Sequence, residues 1–307
     1  MNYLKPNHDF LLKRLETGEG RLRMVLDTDT YNEIDDQFAV VHALLSPERL
    51  QVEALYAAPF HNDRSSSPQE GMERSYEEIL RLLDRLERSS EEFVYKGSTS
   101  FMTTPNHPLE SSAAEDLIQR ASEAAPNDPL YVVAVGAITN VASAILLAPE
   151  IVQKIVVVWL GGQPFHWPQT KEFNLGQDPH SARVIFDSGV PLLRVPCHGV
   201  ASHLLTSLPE LKEYIEGKSA IGDYLVKIFQ DYTSDHYAYA KEIWDVAAVA
   251  WLINESWISS KILPSPLLND DFIWGRDPSR HPVREATFVH RNPIFRDLFQ
   301  KISEDGK

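Results

Sequence analysis

The fold is decided by the stretch LRMVLDTDTYNEIDDQFAVVHALLSP, residues 22–47. It begins with a mostly apolar run, residues 22–26, which stops abruptly at Asp27, as a buried parallel strand does where it meets a loop. From Asp35 onward apolar side chains recur at helical spacing until Pro47. The stretch therefore predicts a strand, an acidic loop and a helix, in that order.

The same alternation continues along the chain. Further strands are predicted at 52–58, 130–135, 155–160 and 192–196. Helical patterns are found at about 72–88, from about 140, at about 179–188 and in several segments of 207–256. Apolar runs at 272–274 and 286–289 predict a hairpin or edge strands.

Repeated strand–helix units predict an α/β fold, with a doubly wound, mostly parallel sheet and helices on both faces. In such sheets ligands bind beyond the carboxyl ends of the strands. Because no internal repeat or low-complexity linker interrupts the sequence, we expect one domain over residues 1–307. Within it we expect an N-terminal helical arm at residues 1–20 and a helical part at residues 207–256.

The composition argues against several classes of protein. There are 44 Asp plus Glu against 29 Lys plus Arg, a formal net charge of −15, so we expect no nucleic-acid partner and no membrane-binding basic patch. The 43% hydrophobic content argues against disorder. The single cysteine, Cys197, can form neither an internal disulfide nor a thiolate zinc site. Since the N-terminal segment is charged and no apolar stretch is long enough to span a bilayer, we expect a cytoplasmic protein.

Carboxylates are concentrated in the acidic loop. Five of them fall within residues 27–36: Asp27, Asp29, Glu33, Asp35 and Asp36. Their mutual repulsion is costly unless a hard divalent cation such as Ca²⁺ or Mg²⁺ offsets it. The alternative is that some of them cap a helix, above all Asp35. Capping accounts for one or two carboxylates but not for five, so the pattern favours a cation site.

Three other segments bring polar groups to predicted element ends. The turn GAITN, residues 136–140, follows one strand, and the loop GGQPFHWPQTKEFN, residues 161–174, follows the next. Turn carbonyls can bind a cation, although such a turn is also an ordinary helix start. Asp245 precedes an apolar helix, where it is either a further ligand or a simple N-cap.

Four patterns occur along the chain in a fixed order: VLDTDT with IDD, GAITN, GG with KEFN followed by DPHSA, and WDVAAVAW. In this order they resemble the motifs of the inosine–uridine-preferring nucleoside hydrolase superfamily, from about residue 22 to residue 256. The resemblance implies an enzyme of nucleoside metabolism that hydrolyses the N-glycosidic bond of a ribonucleoside, or of a similar N-riboside, to ribose and free base. It also implies one Ca²⁺ per chain, a small-molecule nucleoside substrate and a homodimer or homotetramer.

The resemblance also assigns roles to individual residues. It implies that the Ca²⁺ ligands are the carboxylates of Asp29, Asp36 and Asp245 and the main-chain carbonyl of Thr139. Asp29 would also be the general base for a water on the cation, with Asp27 supporting it. The implied ribose contacts are Asp35, Asn62, Glu172 and Asn174.

The chain departs from the family pattern in three places. The loop TYNEI, residues 30–34, is two residues longer than usual and lacks the proline–glycine turn. Trp244 stands where purine-cleaving members have their leaving-group histidine, and His166 stands at the position of a sugar-contact asparagine. Because histidine exchanges protons near neutral pH, we expect His166 to contact the substrate and to act as the leaving-group acid. Further candidates for the acid or for stacking on the base are His61, Trp167, His236, Tyr237 and Trp244.

Two other functions stay open at this stage. An apolar strand followed by D-x-D also opens phosphohydrolases of the haloacid-dehalogenase type, but Tyr31 stands in the place of their usual threonine and no later lysine and acidic pair completes the set. A non-catalytic nucleoside- or ribose-binding homologue would keep the cation site and lack leaving-group activation. Turnover of N-ribosides separates the enzyme from both alternatives.

Overall fold

A central sheet of eight strands forms the middle layer of the structure, a computed structural model that describes residues 6–305. The strands of this part of the chain are β1 (Leu22–Thr28), β2 (Leu50–Ala57), β3 (Val94–Lys96), β4 (Leu130–Ala134), β5 (Ile155–Leu160), β6 (Leu192–Val195), β7 (Leu205–Thr206), β8 (Lys241–Glu242), β9 (Ile258–Pro264), β10 (Leu267–Leu268), β11 (Trp274–Gly275) and β12 (Pro282–Val289).

The central sheet has the strand order β3-β2-β1-β4-β5-β6-β12-β9. Neighbouring strands from β3 to β12 run parallel, and β9 is antiparallel to β12. The pairs β7–β8 and β10–β11 form two small antiparallel sheets. Because the strand order reverses its direction between β1 and β4, the carboxyl ends of these two strands open onto the crevice where doubly wound sheets bind ligands. The predicted fold class is confirmed.

Helices cover both faces of the sheet. Those within residues 6–305 are α1 (His8–Arg14), α2 (Asp36–Leu44), α3 (Pro68–Arg85), α4 (Ser112–Ser122), α5 (Thr139–Leu147), α6 (Phe173–Gln177), α7 (Pro179–Asp187), α8 (Leu208–Tyr214), α9 (Ala220–Tyr232), α10 (Val246–Ile253) and α11 (Arg291–Glu304). Successive side chains of β1 alternate between two apolar clusters, with Met24 and Leu26 in one and Val25 in the other. The first cluster includes side chains of α2, α3 and α8 to α11, and the second includes those of α4, α5 and α7.

The predicted elements differ from the observed ones mainly in the C-terminal third. The run at 286–289 belongs to β12, which lies inside the central sheet between β6 and β9, so it is not an edge strand. The edge is β9, which the hydrophobic pattern did not predict. Helix α3 begins at Pro68, ahead of the predicted 72, because the Ser67 hydroxyl accepts a hydrogen bond from the Glu70 amide at 3.1 Å and caps the helix.

The structure has helices in both segments predicted to be helical, residues 1–20 and residues 207–256. Helix α1 falls within the expected arm at 1–20, of which residues 1–5 lie outside the described residues. The helical part at 207–256 contains α8, α9 and α10. The assignment of residues 1–307 to one domain stays a prediction. None of the helices in residues 6–305 has both the length and the apolar character that crossing a membrane requires.

Candidate functional site

The acidic loop leaves the carboxyl end of β1 and turns back on itself. The Thr28 hydroxyl donates a hydrogen bond to Asp36 Oδ1 at 2.5 Å, and the Asp29 amide donates to the same oxygen at 3.1 Å. These bonds join the two ends of the acidic loop. The loop therefore places Asp29 and Asp36 side by side.

Asp245 comes to the same place from the amino end of α10. Asp35, Asp36 and Asp245 are buried, and one carboxylate oxygen of each lies within 4.8 Å of the others, so this cluster could hold a metal ion. Asp35 and Asp245 occupy the N-cap positions of α2 and α10, but neither side chain makes a capping hydrogen bond. Capping, the alternative explanation for these acids, therefore does not occupy their carboxylates.

The carboxylate of Asp29 is buried beside this cluster. Neither of its oxygens has a hydrogen-bond partner among residues 6–305. The turn GAITN lies directly against it, since a Cβ added to Gly136 would come within 2.9 Å of Asp29 Cγ. Thr139, the first residue of α5, follows in the same turn, and its hydroxyl donates to Asp178 Oδ2 at 2.8 Å. Two free, buried acceptor atoms are suited to a cation, which replaces the missing donors.

Asp27 is held by a residue whose role the sequence did not reveal. Asn140 donates from Nδ2 to Asp27 Oδ1 at 2.7 Å, and its own Oδ1 accepts from the Ser98 amide at 2.8 Å. Both side chains are buried. The available signal in the sequence was that Asn140 is the last residue of the GAITN motif, which follows a predicted strand.

Burial raises the pKa of the carboxyl groups of this cluster and of the neighbouring Asp27 and Asp29. It raises the pKa of Asp27 to about 7, of Asp35 to about 7 and of Asp36 to about 6. The pKa values of Asp29 and Asp245 lie well above the ordinary range, because burial and the negative charges of neighbouring carboxylates both disfavour ionisation. Placing several ionised acids here is therefore unfavourable without a compensating positive charge.

A cavity of about 240 Å³ opens beside these acids. The predicted site residues that line it are Asp29, Asp35, Glu172, Asn174, Trp244 and Asp245. Gln163 and His198 line it as well, and the sequence did not identify either. Both lie in loops after strands, Gln163 after β5 and His198 after β6.

Glu172 and Asn174 are fixed by main-chain groups. The Glu172 carboxylate accepts hydrogen bonds from the amides of Gly162, Asn174 and Leu175 at 2.5, 2.6 and 3.2 Å. Asn174 Nδ2 donates to the carbonyls of Val135 and Leu160, at the ends of β4 and β5, at 2.7 and 3.0 Å. The loop 161–174 is thereby attached to the carboxyl edge of the sheet.

Two predicted substrate contacts do not line this cavity. Asn62 donates to Asn32 Oδ1 at 2.6 Å, and it is Asn32 that reaches the cavity. His166 is exposed and lines a neighbouring cavity of about 330 Å³ together with Phe165 and Trp274. The other proposed acids, His61, His236 and Tyr237, are also absent from the lining of the acidic cavity.

The sequence of the chain matches a known family over most of its length. Residues 24–284 match the family model described as inosine-uridine preferring nucleoside hydrolase. The chain belongs to this family. The resemblance inferred from the motifs is therefore confirmed.

Individual nucleoside hydrolases are similar to parts of the chain. The pyrimidine-specific ribonucleoside hydrolase RihA of Salmonella arizonae is 29% identical over 195 residues, which cover 56% of this chain and 59% of that protein. The non-specific ribonucleoside hydrolase RihC of Shigella flexneri is 28% identical over 149 residues, which cover 46% of this chain and 45% of that protein. The chain thus spans about half the length of these curated relatives. A solved plant nucleoside hydrolase has the same fold, with a TM-score of 0.74 and 22% identity, over 92% of this chain and 99% of that one.

Proposed function

We propose that this chain hydrolyses the N-glycosidic bond of a ribonucleoside, or of a similar N-riboside, to ribose and free base. The observation that carries the proposal is the carboxylate of Asp29, which is buried, lacks hydrogen-bond partners within residues 6–305 and lines the acidic cavity. Family membership supports an N-riboside as the substrate class. It also favours this reaction over phosphate hydrolysis, which the D-x-D pattern left open.

The residues present fit one Ca²⁺ ion. Asp29, Asp36 and Asp245 would hold it through carboxylate oxygens and Thr139 through its main-chain carbonyl. The fit is supported by the unpartnered oxygens of Asp29, by the mutual approach of the other carboxylates and by the all-oxygen character of this donor set. When bound, the cation would clamp ribose hydroxyls and make an adjacent water easier to deprotonate.

Asp29 is proposed as the general base. Because its oxygens have no hydrogen-bond partner in the described part of the chain, one of them can accept the proton of the attacking water without breaking an existing bond. Asp27 would support it from the carboxyl end of β1, with its own carboxylate held by Asn140. Both acids add negative charge close to the sugar, where cleavage develops an oxocarbenium-like positive charge.

The ribose contacts are proposed on the same basis. Asp35, Glu172 and Asn174 line the cavity, and Asn62 would act on it through Asn32. The amide nitrogen of Asn174 is occupied by two carbonyls, which leaves its amide oxygen to accept from a sugar hydroxyl. These contacts would orient the sugar, which is how an active site lowers the entropic part of the barrier.

The leaving-group side of the site is less complete. Trp244 lines the cavity and is proposed to stack on the base. His166 stays a candidate for the leaving-group acid on its sequence position, and from its neighbouring cavity it would need loop 161–174 to move. We also propose a homodimer or homotetramer, on the family resemblance alone.

A substrate panel tests the proposal. Purine nucleosides, pyrimidine nucleosides and p-nitrophenyl riboside are incubated with the protein, and the release of reducing sugar is measured with EGTA and after Ca²⁺ is restored. We expect turnover of at least one N-riboside that EGTA abolishes and Ca²⁺ restores. Failure to release sugar from any riboside at high protein concentration would overturn the proposal. Thermal stabilisation by ribosides without release would indicate the non-catalytic binder, and phosphate release from a phenyl phosphate would indicate the phosphohydrolase.

A further inference from the structure

Three aromatic side chains form a row, and two of them, His198 and Trp244, line the acidic cavity. This aromatic row consists of Trp167, His198 and Trp244. The His198 ring centroid lies 5.2 Å from that of Trp244 and 6.2 Å from that of Trp167, with interplanar angles of 44° and 47°. His198 is exposed to solvent and also lines the cavity, so a molecule entering the site meets it.

A single side chain, Gln163, fixes the ring of His198. The His198 main-chain amide donates to Gln163 Oε1 at 3.0 Å, and Gln163 Nε2 lies 3.1 Å from His198 Nδ1. A main-chain N–H can only donate, so this bond identifies the amide oxygen of Gln163. The amide nitrogen must then donate to Nδ1. The proton of the neutral imidazole is therefore on Nε2, the ring nitrogen that Gln163 does not occupy.

Gln163 is itself held in place from several sides. The residue is buried, and its main-chain carbonyl accepts hydrogen bonds from Arg194 Nη2 at 3.0 Å and from Trp274 Nε1 at 3.2 Å. The residue before His198 is also fixed, because the Cys197 amide donates a hydrogen bond to the Gly162 carbonyl at 3.1 Å. The orientation of His198 is thus set by the loops after β5 and β6 before any ligand binds.

We infer that His198 is a catalytic residue for the leaving group, donating a hydrogen bond from Nε2–H to an acceptor atom of the departing base while Trp244 stacks on that base. This inference rests on the proposed function. It assigns to His198 the leaving-group side of the reaction, on which Trp244 also lines the cavity. Gln163 is the positioning residue, since it fixes the nitrogen that carries the proton.

The chemistry needs no further reactant. The bond between C1′ and the base nitrogen breaks, and its electron pair goes to the base. Water supplies a hydroxyl group to C1′, and its remaining proton ends on the base. His198 stabilises the negative charge that builds on the base as the bond breaks, and its own protonation state is the same before and after.

The inference also defines a substrate class. A nucleobase with a ring nitrogen or carbonyl acceptor is a poor leaving group. A hydrogen-bond donor at this position should therefore strongly increase kcat/KM for such a substrate. The nitrophenolate of p-nitrophenyl riboside carries its charge without help. The ratio of the two activities therefore reports on leaving-group activation, separately from cation and ribose binding.

His198→Phe tests the role of the ring nitrogens, because phenylalanine keeps an aromatic ring beside Trp244 and lacks a donor. We expect kcat/KM for the best natural nucleoside to fall by about 100-fold or more, and that for p-nitrophenyl riboside to change by less than about threefold. His203→Phe is the matched control, because His203 is exposed, lies five residues further along and does not line the cavity. It should leave both values unchanged.

The outcomes separate the two proposals. An equal loss on both substrates in His198→Phe, with an unchanged melting temperature, would overturn the leaving-group role and leave the proposed function standing. No turnover of either substrate by the unsubstituted protein would overturn both. Nitrogen-15 shifts of labelled histidine add a readout that does not depend on activity. The His198 resonances, identified by their loss in His198→Phe, should show the proton on Nε2, and a proton on Nδ1 would contradict the inference.

Gln163→Leu tests the positioning role. We expect it to lower kcat/KM for the natural nucleoside by about tenfold, with a smaller change for p-nitrophenyl riboside, and to shift the His198 resonances towards a mixture of tautomers. Activity loss with an unaltered tautomer would show that Gln163 acts structurally and not through His198.

Discussion

Asp29 is the residue on which the proposed chemistry depends most. Its carboxylate is buried without a hydrogen-bond partner among residues 6–305, an arrangement that ordinary protein cores avoid. Burial and the nearby acids raise its pKa well above the ordinary range, so the ionised form is unfavourable in the absence of a cation. A residue this unfavourable for the fold alone is best explained by a role in the site.

Asp29→Asn should separate function from stability. We expect kcat/KM to fall by about 10²–10⁴-fold, because the amide cannot accept the proton of water. The melting temperature without Ca²⁺ should not fall, because the substitution removes a buried charge. Both are measured beside Asp63→Asn, the same change at an exposed position outside the cavity, which should behave like the unsubstituted protein. An Asp29→Asn enzyme with more than about a tenth of the activity would argue against the general-base role.

Individual site residues were predictable to different degrees. The acidic loop was visible because its carboxylates are crowded along the sequence. His198 was not, because nothing in its neighbouring letters distinguishes it from the other ten histidines. Its proposed role depends on Gln163 and Trp244, which come from other segments and meet it only in the folded chain.

At the scale of elements, the acidic loop has a second anchor. Its residue Glu33 forms an ion pair with Lys241 in β8, shortly before Trp244 and Asp245. Burial by itself lowers the pKa of Lys241, but the carboxylates of Asp35 and Glu33 raise that pKa above its usual value. The ion pair thus connects the two segments that supply the acids of the cluster.

A double-mutant cycle measures this connection. Lys241→Met, Glu33→Gln and the double variant are unfolded in urea, and we expect a coupling free energy of about 1–2 kcal/mol because the Lys241 side chain is only 6% exposed. The control is the pair Lys227–Asp231 of α9, with side chains 70% and 59% exposed, which should couple by less than about 0.5 kcal/mol. Equal coupling in both pairs would contradict an anchoring role.

Elements were predicted well where one periodicity was strong. The strand at 155–160 has the bounds of β5, and α2 begins at Asp36, next to the predicted Asp35. Strand β9 was missed because its side chains are largely exposed on the edge of the sheet, so it lacks a continuous apolar run. The position of β12 inside the sheet could not be predicted, because strand order depends on contacts between distant segments.

At the scale of the whole molecule, the pH dependence of the stability of the fold should depend on His281. This residue precedes β12, and its Nε2 is buried without a partner within residues 6–305. Burial and the charge of Arg280 lower its pKa from 6.5 to about 4. In the unfolded chain His281 becomes protonated below about pH 6.5, whereas in the folded chain it becomes protonated only near pH 4. The free energy of unfolding therefore decreases as the pH falls from 6.5 to 4.

We expect His281 to cost the fold about 2 kcal/mol between pH 7.5 and pH 5. The free energy of unfolding in urea is measured at both values for the unsubstituted protein and for His281→Gln. The difference between the two pH slopes isolates the histidine from the carboxylates that also titrate. His107→Gln, at an exposed loop position, should keep the original slope. An unchanged slope in His281→Gln would show that this proton is not linked to unfolding.

The sequence by itself determined the α/β class, the strand ends and the acidic loop, because these follow from local periodicity and from charges that are adjacent along the chain. The family resemblance followed from the same segments. Only the tertiary structure decided which side chains share a cavity. It brought Asp245 to the acidic loop, placed His166 in a neighbouring cavity and set His198 between two tryptophans. The reason is physical: a site assembled from several strand ends depends on strand order and loop anchoring, which are long-range interactions that no single stretch of sequence encodes.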